Sequence, residues 1–379
     1  MSSCSEPKKC RVLWLANGLG VGGMERLLVT HARLGDRDAF EYHAAYLVDR
    51  PHSVVHELEE LGVPVYRLGT GRRSDLRWVR DLVHIIKTRE IDVVHAHSPL
   101  PASVARVALA LTARNVRFVY TEHNRWDRFE PLTRWANRLT YRLNDKVFAV
   151  SDDCRSTVPK RLRPRVETLI HGIDVEAVAA NRAFRDEMRA ELGIDDDTVV
   201  IGTVANLRKQ KNYPMLMRAA KRLIDDGQPV VFLAVGQGPL EDELNQLHSE
   251  LGLGDRFRFL GFREDVHRVM SAFDVFCLSS DHEGLPVALM EATALGLPVV
   301  ATAVGGIPDA VKNCVDEMLV TKGDEGELVR ALKVTTARLD DRIGRAPLER
   351  AAPSRFDAAR VVQTEERSYA GPSKLAGPT

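Results

Sequence analysis

Two glutamates, Glu283 and Glu291, enclose seven residues in the stretch DHEGLPVALMEATALGLPVVATAVGGIPDAV, residues 281–311. Paired carboxylates can act as acid and base on one bond, or they can accept hydrogen bonds from the hydroxyl groups of a ligand. Gly284-Leu285-Pro286 between them is typical of a helix start, where free amides and the positive dipole end suit a diphosphate. Because roughly 8 Å of axial rise then separates the carboxylates, the pattern favours two contacts with one extended ligand over an acid–base pair.

A basic loop, Asn206-Leu-Arg208-Lys209-Gln-Lys211-Asn212, follows an apolar stretch at Val199–Val204. Cations fixed beside a departing diphosphate stabilise the charge that develops in the transition state more than they stabilise the ground state. A solvated surface loop is the alternative. Its position after a predicted strand favours a ligand site, because ligands bind at the carboxyl ends of parallel strands.

A glycine-rich loop, Gly18-Leu-Gly20-Val-Gly22-Gly23, lies between a predicted strand and a predicted helix, and Asp49 ends the second strand. This is the context of a dinucleotide-binding fingerprint. The same glycines also let backbone amides approach any diphosphate at a helix start. The motif alone leaves a nicotinamide cofactor and a nucleotide-sugar diphosphate both open.

Three histidines follow or close predicted strands of the first half. His123 lies on a loop after Arg117–Tyr120, the edge favoured for ligand contact, and is predicted to be functional. His95 and His97 close Val93–Ala96, where a packed structural role and a position beside the ligand both remain open.

The elements that must position these residues are short apolar strands alternating with amphipathic helices. Continuous rather than alternating apolar runs predict strands covered on both faces, hence two tandem Rossmann-like, doubly wound parallel-sheet domains with a ligand cleft between them. The strand pattern pauses at residues 172–198. The predicted divisions are an N-terminal acceptor-side domain at 1–175, a C-terminal nucleotide-sugar domain at 176–355, a helix at 356–370 that packs back on the first domain, and a flexible tail at 371–379.

Composition sets the class of protein. The 379 residues carry no net charge, but residues 1–175 hold 28 basic against 21 acidic side chains, a net charge of +7. That imbalance indicates contact with something anionic, or simple attraction between the halves. Five scattered cysteines predict neither a disulfide framework nor a zinc site. Residues 1–11 are polar and lack the apolar core of a signal peptide, so a cytoplasmic location is expected.

The segment Pro131–Leu143 (PLTRWANRLTYRL) has Leu132, Trp135, Leu139 and Leu143 at helical spacing beside a row of arginines. The pattern favours an ordinary domain helix with its apolar face on the sheet and its arginines in water. The alternative is peripheral contact with an anionic membrane at its inner face.

Taken together, the motifs resemble glycosyltransferase family four, retaining nucleotide-sugar-dependent enzymes of the GT-B fold. The resemblance covers nearly the whole chain and rests on GLGVGGMER, DVVHAHSP, TEHN, VGQGPLEDEL, RFLGFREDV and DVFCLSSDHEG, besides the segment that holds the two glutamates. Relatives commonly have arginine where this chain has Asn206, with Arg208 two residues later, whereas Lys211 matches directly. His171 stands where relatives often have asparagine, at the end of the first predicted domain, and is interpreted as a hinge residue.

The resemblance implies a role for each candidate. The catalytic set is Lys211, Arg208, Glu283 and His123, with the two cations on the diphosphate, Glu283 on the donor sugar and His123 facing that sugar. The donor-binding set is Gly20, Gly22, Gly23, Gly236, Phe262, Arg263, Gly284, Leu285, Pro286 and Glu291, with Glu291 on the ribose.

The predicted function is therefore a retaining hexosyltransferase that moves a sugar from a UDP- or GDP-linked donor to a hydroxyl acceptor in polysaccharide or glycolipid synthesis. No metal ion or other cofactor and no nucleic acid is expected. The acceptor is a saccharide, a lipid-linked molecule or a small metabolite. A nicotinamide-dependent oxidoreductase and a catalytically inactive nucleotide-sugar-binding protein of the same fold are the alternatives.

Overall fold

The computed structural model describes residues 8–50, 52–70, 75–312, 317–340 and 356–371. The chain divides into two compact units. Unit 1 combines residues 1–172 with 357–379, and unit 2 spans residues 173–356. Apart from Gly371, the tail predicted at 371–379 lies outside the described residues, as do Cys4 and Cys314.

Unit 1 is built on a seven-stranded parallel sheet with the order β3-β2-β1-β4-β5-β6-β7. Its strands are β1 (Cys10–Ala16), β2 (Phe40–Tyr46), β3 (Val65–Arg67), β4 (Val93–Ala96), β5 (Arg117–Glu122), β6 (Lys146–Ala149) and β7 (Val166–Thr168). Its helices are α1 (Gly23–Leu34), α2 (Val55–Glu60), α3 (Arg77–Thr88), α4 (Pro99–Thr112), α5 (Pro131–Thr140) and α6 (Asp152–Thr157), joined near the end of the chain by α15 (Ala358–Tyr369).

Unit 2 is built on a six-stranded parallel sheet with the order β10-β9-β8-β11-β12-β13. Its strands are β8 (Val199–Val204), β9 (Val230–Val235), β10 (Phe257–Gly261), β11 (Val275–Leu278), β12 (Val299–Thr302) and β13 (Glu317–Val320). Its helices are α7 (Val175–Ala179), α8 (Arg185–Glu191), α9 (Tyr213–Asp225), α10 (Glu241–Leu251), α11 (Val266–Ser271), α12 (Val287–Ala294), α13 (Ile307–Val311) and α14 (Glu325–Asp340).

The two predicted parallel sheets are confirmed, and strands such as β4, β9 and β11 are buried along their whole length. Such strands must be apolar on both faces, which is why their runs are continuous. Sequence reasoning missed β13. This edge strand begins with a glutamate and is only partly buried, so it lacks the apolar signal of the central strands.

Strand order creates one topological switch point in each sheet. The chain runs outward in one direction from β1 and then in the other from β4, and it does the same from β8 and β11. Loops that leave neighbouring strands on opposite sides of a sheet open a crevice at the carboxyl edge, where α/β proteins bind ligands. The switch points therefore lie beside the loops after β1 and β4 and the loops after β8 and β11.

Helix α15 packs against α1 within unit 1. The carboxylate of its buried Glu365 lies 2.9 Å from His31 Nδ1, and the hydroxyl of its Tyr369 lies 2.8 Å from His95 Nδ1. These contacts join residues more than 270 positions apart in sequence, which no local pattern could predict.

Helix α5 contradicts the expected placement of its apolar face. Leu132, Trp135 and Leu139 are 72, 61 and 60% exposed, whereas the polar Asn137 is fully buried. The prediction that the apolar face lies on the sheet was wrong. Within the described part of the chain, every helix is too short or too polar to cross a bilayer.

A buried polar cluster explains this inverted helix. Arg106 of α4 donates from Nη1 to Asn137 Oδ1 at 2.8 Å and to Thr140 Oγ1 at 3.1 Å. Glu122 accepts from Trp126 Nε1 at 2.6 Å and from Asn137 at 3.3 Å, and burial raises the pKa of this carboxyl to about 7. Buried polar groups must be paired, so α5 turns its polar residues inward to satisfy Arg106 and Glu122.

Candidate active site

The switch point of unit 2 brings together two residues predicted to be catalytic. Lys211, from the loop after β8, places Nζ 2.6 Å from Oε1 of Glu283, from the loop after β11. Both side chains are largely buried, and the Ser280 hydroxyl donates to the same carboxylate oxygen at 2.6 Å. An ammonium group has three donors, so Lys211 can hold Glu283 and still donate to an oxygen of a bound diphosphate.

The Gly-Gly turn after β12 supports the Glu283 loop. Gly306 donates its amide to the carbonyl oxygen of Gly284 at 2.7 Å. Gly305 has a φ of +57°, and a Cβ at this position would lie only 1.9 Å from the carbonyl oxygen of Glu283. A glycine is therefore required here both by the left-handed backbone and by the close approach of the two loops. The turn holds the backbone from which Glu283 projects.

Lys211 is held by the residue that follows it. Asn212 adopts a left-handed φ of +47° and is the N-cap of α9, where its side chain accepts from the Met215 amide at 3.3 Å. Its Nδ2 donates to Asp281 Oδ1 at 3.2 Å, and Ser279 donates to the Lys211 carbonyl at 3.0 Å. The loops after β8 and β11 are thus tied together by side chains on both sides of the ion pair.

Helix α12 begins beside this pair. Pro286 is its N-cap residue, and among the described residues no side chain caps the helix, so its first amides, from Val287 onward, have no side-chain acceptor there. Such a helix start favours an anion. Glu291 lies at the fifth position of α12, where its Oε1 is 2.9 Å from His267 Nε2. Sequence reasoning missed His267, because nothing in the local pattern links α11 to α12.

The remaining predicted residues of unit 2 surround the same edge of the sheet. Gly236, which follows β9 and has φ +143°, approaches the loop after β8 so closely that a Cβ would lie 2.2 Å from the Ala205 carbonyl oxygen. Phe262 is partly buried after β10. Arg263 is bound by Asp265 at 2.7 Å and by Glu191 at 2.9 Å, so its charge is already offset. Arg208 is exposed, and no hydrogen bond of its side chain to another described residue is found.

The glycine loop follows β1 and lies at the switch point of unit 1. Gly20 forms an isolated bridge with Ser53, and Gly22 is the N-cap of α1, which begins at Gly23. Arg50 lies against this loop, with its Cβ 3.2 Å from where a Cβ of Gly20 would stand. Asp49, the acidic residue of the dinucleotide interpretation, forms an ion pair with Arg67 at 3.1 Å. The acid that a dinucleotide fingerprint would place on a ribose is therefore engaged by Arg67.

His123 lies in a chain of three imidazoles within unit 1. His97 Nδ1 is 3.1 Å from His123 Nε2, and His171 Nε2 is 3.4 Å from His123 Nδ1. Burial, the largest cause, lowers the pKa of all three, so they are neutral at pH 7. His97 Nε2 is buried and has no partner in the described structure. A proton on Nδ1 of His97 avoids an unpaired buried donor, so His97 donates to His123, which donates in turn to His171.

The three linked histidines add two residues to the candidate site. Sequence reasoning left His97 open and read His171 as a hinge residue, yet both contact His123. His97 and His123 come together because β4 and β5 are neighbours in the sheet. The spacing of residues along the sequence does not show which strands are neighbours. With both ring nitrogens engaged, His123 can meet a sugar hydroxyl only by giving up one of these contacts.

Comparison with known proteins identifies the family. The family model described as Glycosyltransferase Family 4 matches residues 21–177, and the model for group 1 glycosyl transferases matches residues 184–338. EpsF of Bacillus subtilis, named as a glycosyltransferase, is 30% identical to this chain over 343 residues. The match covers 86% of this chain and 87% of EpsF. The chain belongs to glycosyltransferase family 4.

Further comparisons agree with this family 4 membership. The UDP-Gal:α-D-GlcNAc-diphosphoundecaprenol α-1,3-galactosyltransferase of Escherichia coli is 28% identical over 284 residues, 71% of this chain and 72% of that protein. The crystal structure of Anabaena HepE in complex with UDP and glucose has a TM-score of 0.81 at 24% identity, covering 94% of this chain and 98% of HepE. The predicted family, GT-B fold and enzyme class are confirmed, and a dehydrogenase is not favoured.

Proposed function

We propose that this family 4 glycosyltransferase moves a hexose from a UDP-sugar to a saccharide hydroxyl with retention of configuration. The observation that carries the proposal is the Lys211–Glu283 pair at the switch point of unit 2, beside the open start of α12. A UDP donor is preferred over GDP because the E. coli relative is named for UDP-galactose and the HepE structure holds UDP.

In this mechanism the bond between the sugar C1 and the diphosphate oxygen breaks, and a bond from C1 to the acceptor oxygen forms. Lys211 and the α12 amides offset the charge gained by the departing diphosphate, and exposed Arg208 adds a second cation. The acceptor proton passes to the departing phosphate on the same face, which is the step that family resemblance implies for a retaining enzyme. Glu283 holds a hydroxyl of the donor sugar. The roles that the family resemblance implies for His123 and for the glycine loop of unit 1 stay predictions.

The role of Glu291 gives a direct test of donor binding. Replacing Glu291 by alanine is expected to weaken UDP binding about tenfold to a hundredfold, because a hydrogen bond to a charged group is worth about 1.5–3 kcal/mol. Titration calorimetry with UDP measures the loss. Glu243→Ala, an exposed carboxylate on α10, is the matched control and should bind as wild type does.

A deoxyribose analogue makes this test specific for the ribose. If Glu291 binds the ribose hydroxyls, wild type should bind 2′,3′-dideoxy-UDP more weakly than UDP. The Glu291→Ala variant, which has already lost this contact, should bind the two ligands almost equally. Additive losses would show that the carboxylate acts elsewhere. His267→Ala, measured in parallel, reports how far the loss of the His267 contact contributes.

Metal independence stays a prediction of this proposal. Among the described residues no group of three or more histidines, cysteines and carboxylates is arranged to hold a metal ion. We assign to Lys211, held by Glu283, the charge compensation that a metal ion would otherwise supply. Transfer should continue in EDTA at the rate seen without it. Activity that disappears in EDTA and returns with magnesium or manganese would contradict the metal-free assignment.

We further propose that the acceptor is a lipid-linked saccharide and that the enzyme works peripherally at an anionic membrane surface. The support is the name of the E. coli relative, which acts on a diphosphoundecaprenol-linked sugar, and the basic balance of residues 1–175. An acceptor in a bilayer requires the enzyme to reach its surface.

A further inference from the structure

The outer surface of α5 combines exposed apolar side chains with a row of unpaired cations. Leu132, Trp135 and Leu139 stand at i, i+3 and i+7, which places them along one side of the helix. Single exposed apolar residues need no explanation, but three in line on one helix form an apolar row that signals contact with a partner.

Three arginines lie beside this apolar row, two of them in α5 and the third in the 3₁₀ turn Tyr141–Leu143 that follows it. Arg134, Arg138 and Arg142 recur every four residues and are all exposed. Within the described residues none of their guanidinium groups forms an ion pair, whereas Arg125 is paired with Asp127 and Asp153. The α5 face, defined here as Leu132, Arg134, Trp135, Arg138, Leu139 and Arg142, is therefore both apolar and strongly positive.

We propose that the α5 face is the surface by which unit 1 docks on an anionic lipid bilayer. The inference deepens the proposed function, because it rests on a lipid-linked acceptor and names the face that meets the membrane. An interfacial helix needs apolar side chains that enter the acyl boundary and basic side chains that meet anionic headgroups. Tryptophan favours the headgroup level, where its ring is buried and its N–H stays hydrated.

The interior of unit 1 keeps α5 in this orientation. Asn137 and Thr140 are bound to buried Arg106, and rotating the apolar row inward would break those hydrogen bonds and leave buried N–H groups of Arg106 without partners. The helix is thus ordered before it meets a surface and loses little conformational freedom on docking. At ten residues α5 is about 15 Å long, enough to lie along a bilayer but not to cross it.

A second copy of the chain would cover the apolar row but would bring three arginines against three arginines across a two-fold interface. That arrangement is unfavourable, since a two-fold axis joins the same patch on both subunits. A bilayer rich in phosphatidylglycerol instead supplies negative charge along the whole row. Charge complementarity therefore selects the membrane.

The native tryptophans provide the assay. Trp135 is exposed, whereas Trp14, Trp78 and Trp126 are at most 4% exposed, so these four residues, all tryptophans of the chain, give one surface reporter. We expect its fluorescence to shift to shorter wavelength with vesicles of mixed phosphatidylglycerol and phosphatidylcholine, and to be quenched by brominated acyl chains. Pure phosphatidylcholine should produce little change. An unchanged Trp135 signal in the anionic vesicles would overturn the proposal.

Two sets of substitutions, measured by vesicle sedimentation, separate the two contributions. Arg134→Gln, Arg138→Gln and Arg142→Gln together should lower the partition coefficient about a hundredfold, since each arginine near an anionic surface is worth roughly fivefold. Leu132→Gln, Trp135→Gln and Leu139→Gln together should lower it at least about tenfold. The matched control removes three exposed cations elsewhere in unit 1, Lys87→Gln, Lys160→Gln and Arg161→Gln, and should keep most of the binding.

Equal losses of vesicle binding in the control and in the arginine set would overturn a specific α5 face. So would a wild-type dimer that the apolar set converts to a monomer, because the face would then join two copies of the chain. UDP-sugar hydrolysis without vesicles should be unchanged in all three sets, because every substituted side chain is exposed. If wild type neither binds nor hydrolyses a UDP-sugar but still binds anionic vesicles through α5, the proposed function fails while the docking surface stands.

Discussion

Replacing Lys211 by alanine is expected to lower kcat by roughly a hundredfold or more, the usual effect of removing one preorganised group that stabilises transition-state charge. Lys211 lies at the switch point of unit 2, where it is held by the carboxylate of Glu283 at 2.6 Å. Its charge acts most strongly on the diphosphate as the sugar leaves. UDP affinity should therefore fall much less than turnover, and comparing kcat with the Kd for UDP measures that difference.

The ion pair complicates a simple reading of this variant. Without Lys211, the largely buried Glu283 keeps the Ser280 hydroxyl but loses its cation, and a buried charge left unpaired is destabilising. Thermal unfolding must therefore be measured together with kcat. The double variant Lys211→Ala with Glu283→Gln removes the leftover charge, and it should regain stability without regaining turnover.

Lys209→Ala is the matched control for Lys211, because this lysine is exposed in the same loop. It should retain turnover within a few-fold. If folded Lys211→Ala transfers sugar at the wild-type rate, or if Lys209→Ala loses as much as Lys211→Ala, then the charge of Lys211 does not carry the reaction.

Much of this site could be predicted from the sequence, because parallel α/β proteins bind ligands where loops leave the carboxyl ends of strands. Lys211 and Glu283 each follow a continuous apolar strand, and both residue types were informative at those positions. Their direct contact was not predictable, since it depends on β8 and β11 being neighbours in the sheet. Spacing along the chain places a residue at an edge but does not show which strand is adjacent.

The errors have the same origin in tertiary structure. The apolar row of α5 was expected on the sheet because helical periodicity reports which residues share a face, not which face is buried. Arg106, 26 residues before Leu132, decides the outcome by requiring polar partners inside. His171 likewise looked like a linker residue, and only the fold of unit 1 places it beside His123.

The second large effect is expected at Gly305, which touches no proposed ligand. Alanine at this position would place Cβ 1.9 Å from the carbonyl oxygen of Glu283, so the loop that carries Glu283 and Gly284 must move. Displacing a catalytic group by about 1 Å can cost about a hundredfold in rate. We expect Gly305→Ala to lower kcat/KM about a hundredfold, as measured by UDP-sugar transfer, and to lower Tm as well.

Gly323→Ala separates this displacement from backbone strain. Gly323 has a φ of +75°, close to the +57° of Gly305, but a Cβ there meets nothing within 4 Å. Both variants therefore bear the cost of an L-residue in the left-handed region, about 1–2 kcal/mol, and only Gly305→Ala adds the collision. If the two variants lose stability equally and keep equal activity, the Glu283 loop does not depend on the Gly-Gly turn. A larger loss of both at Gly305 shows that the turn after β12 sets the position of the glutamate.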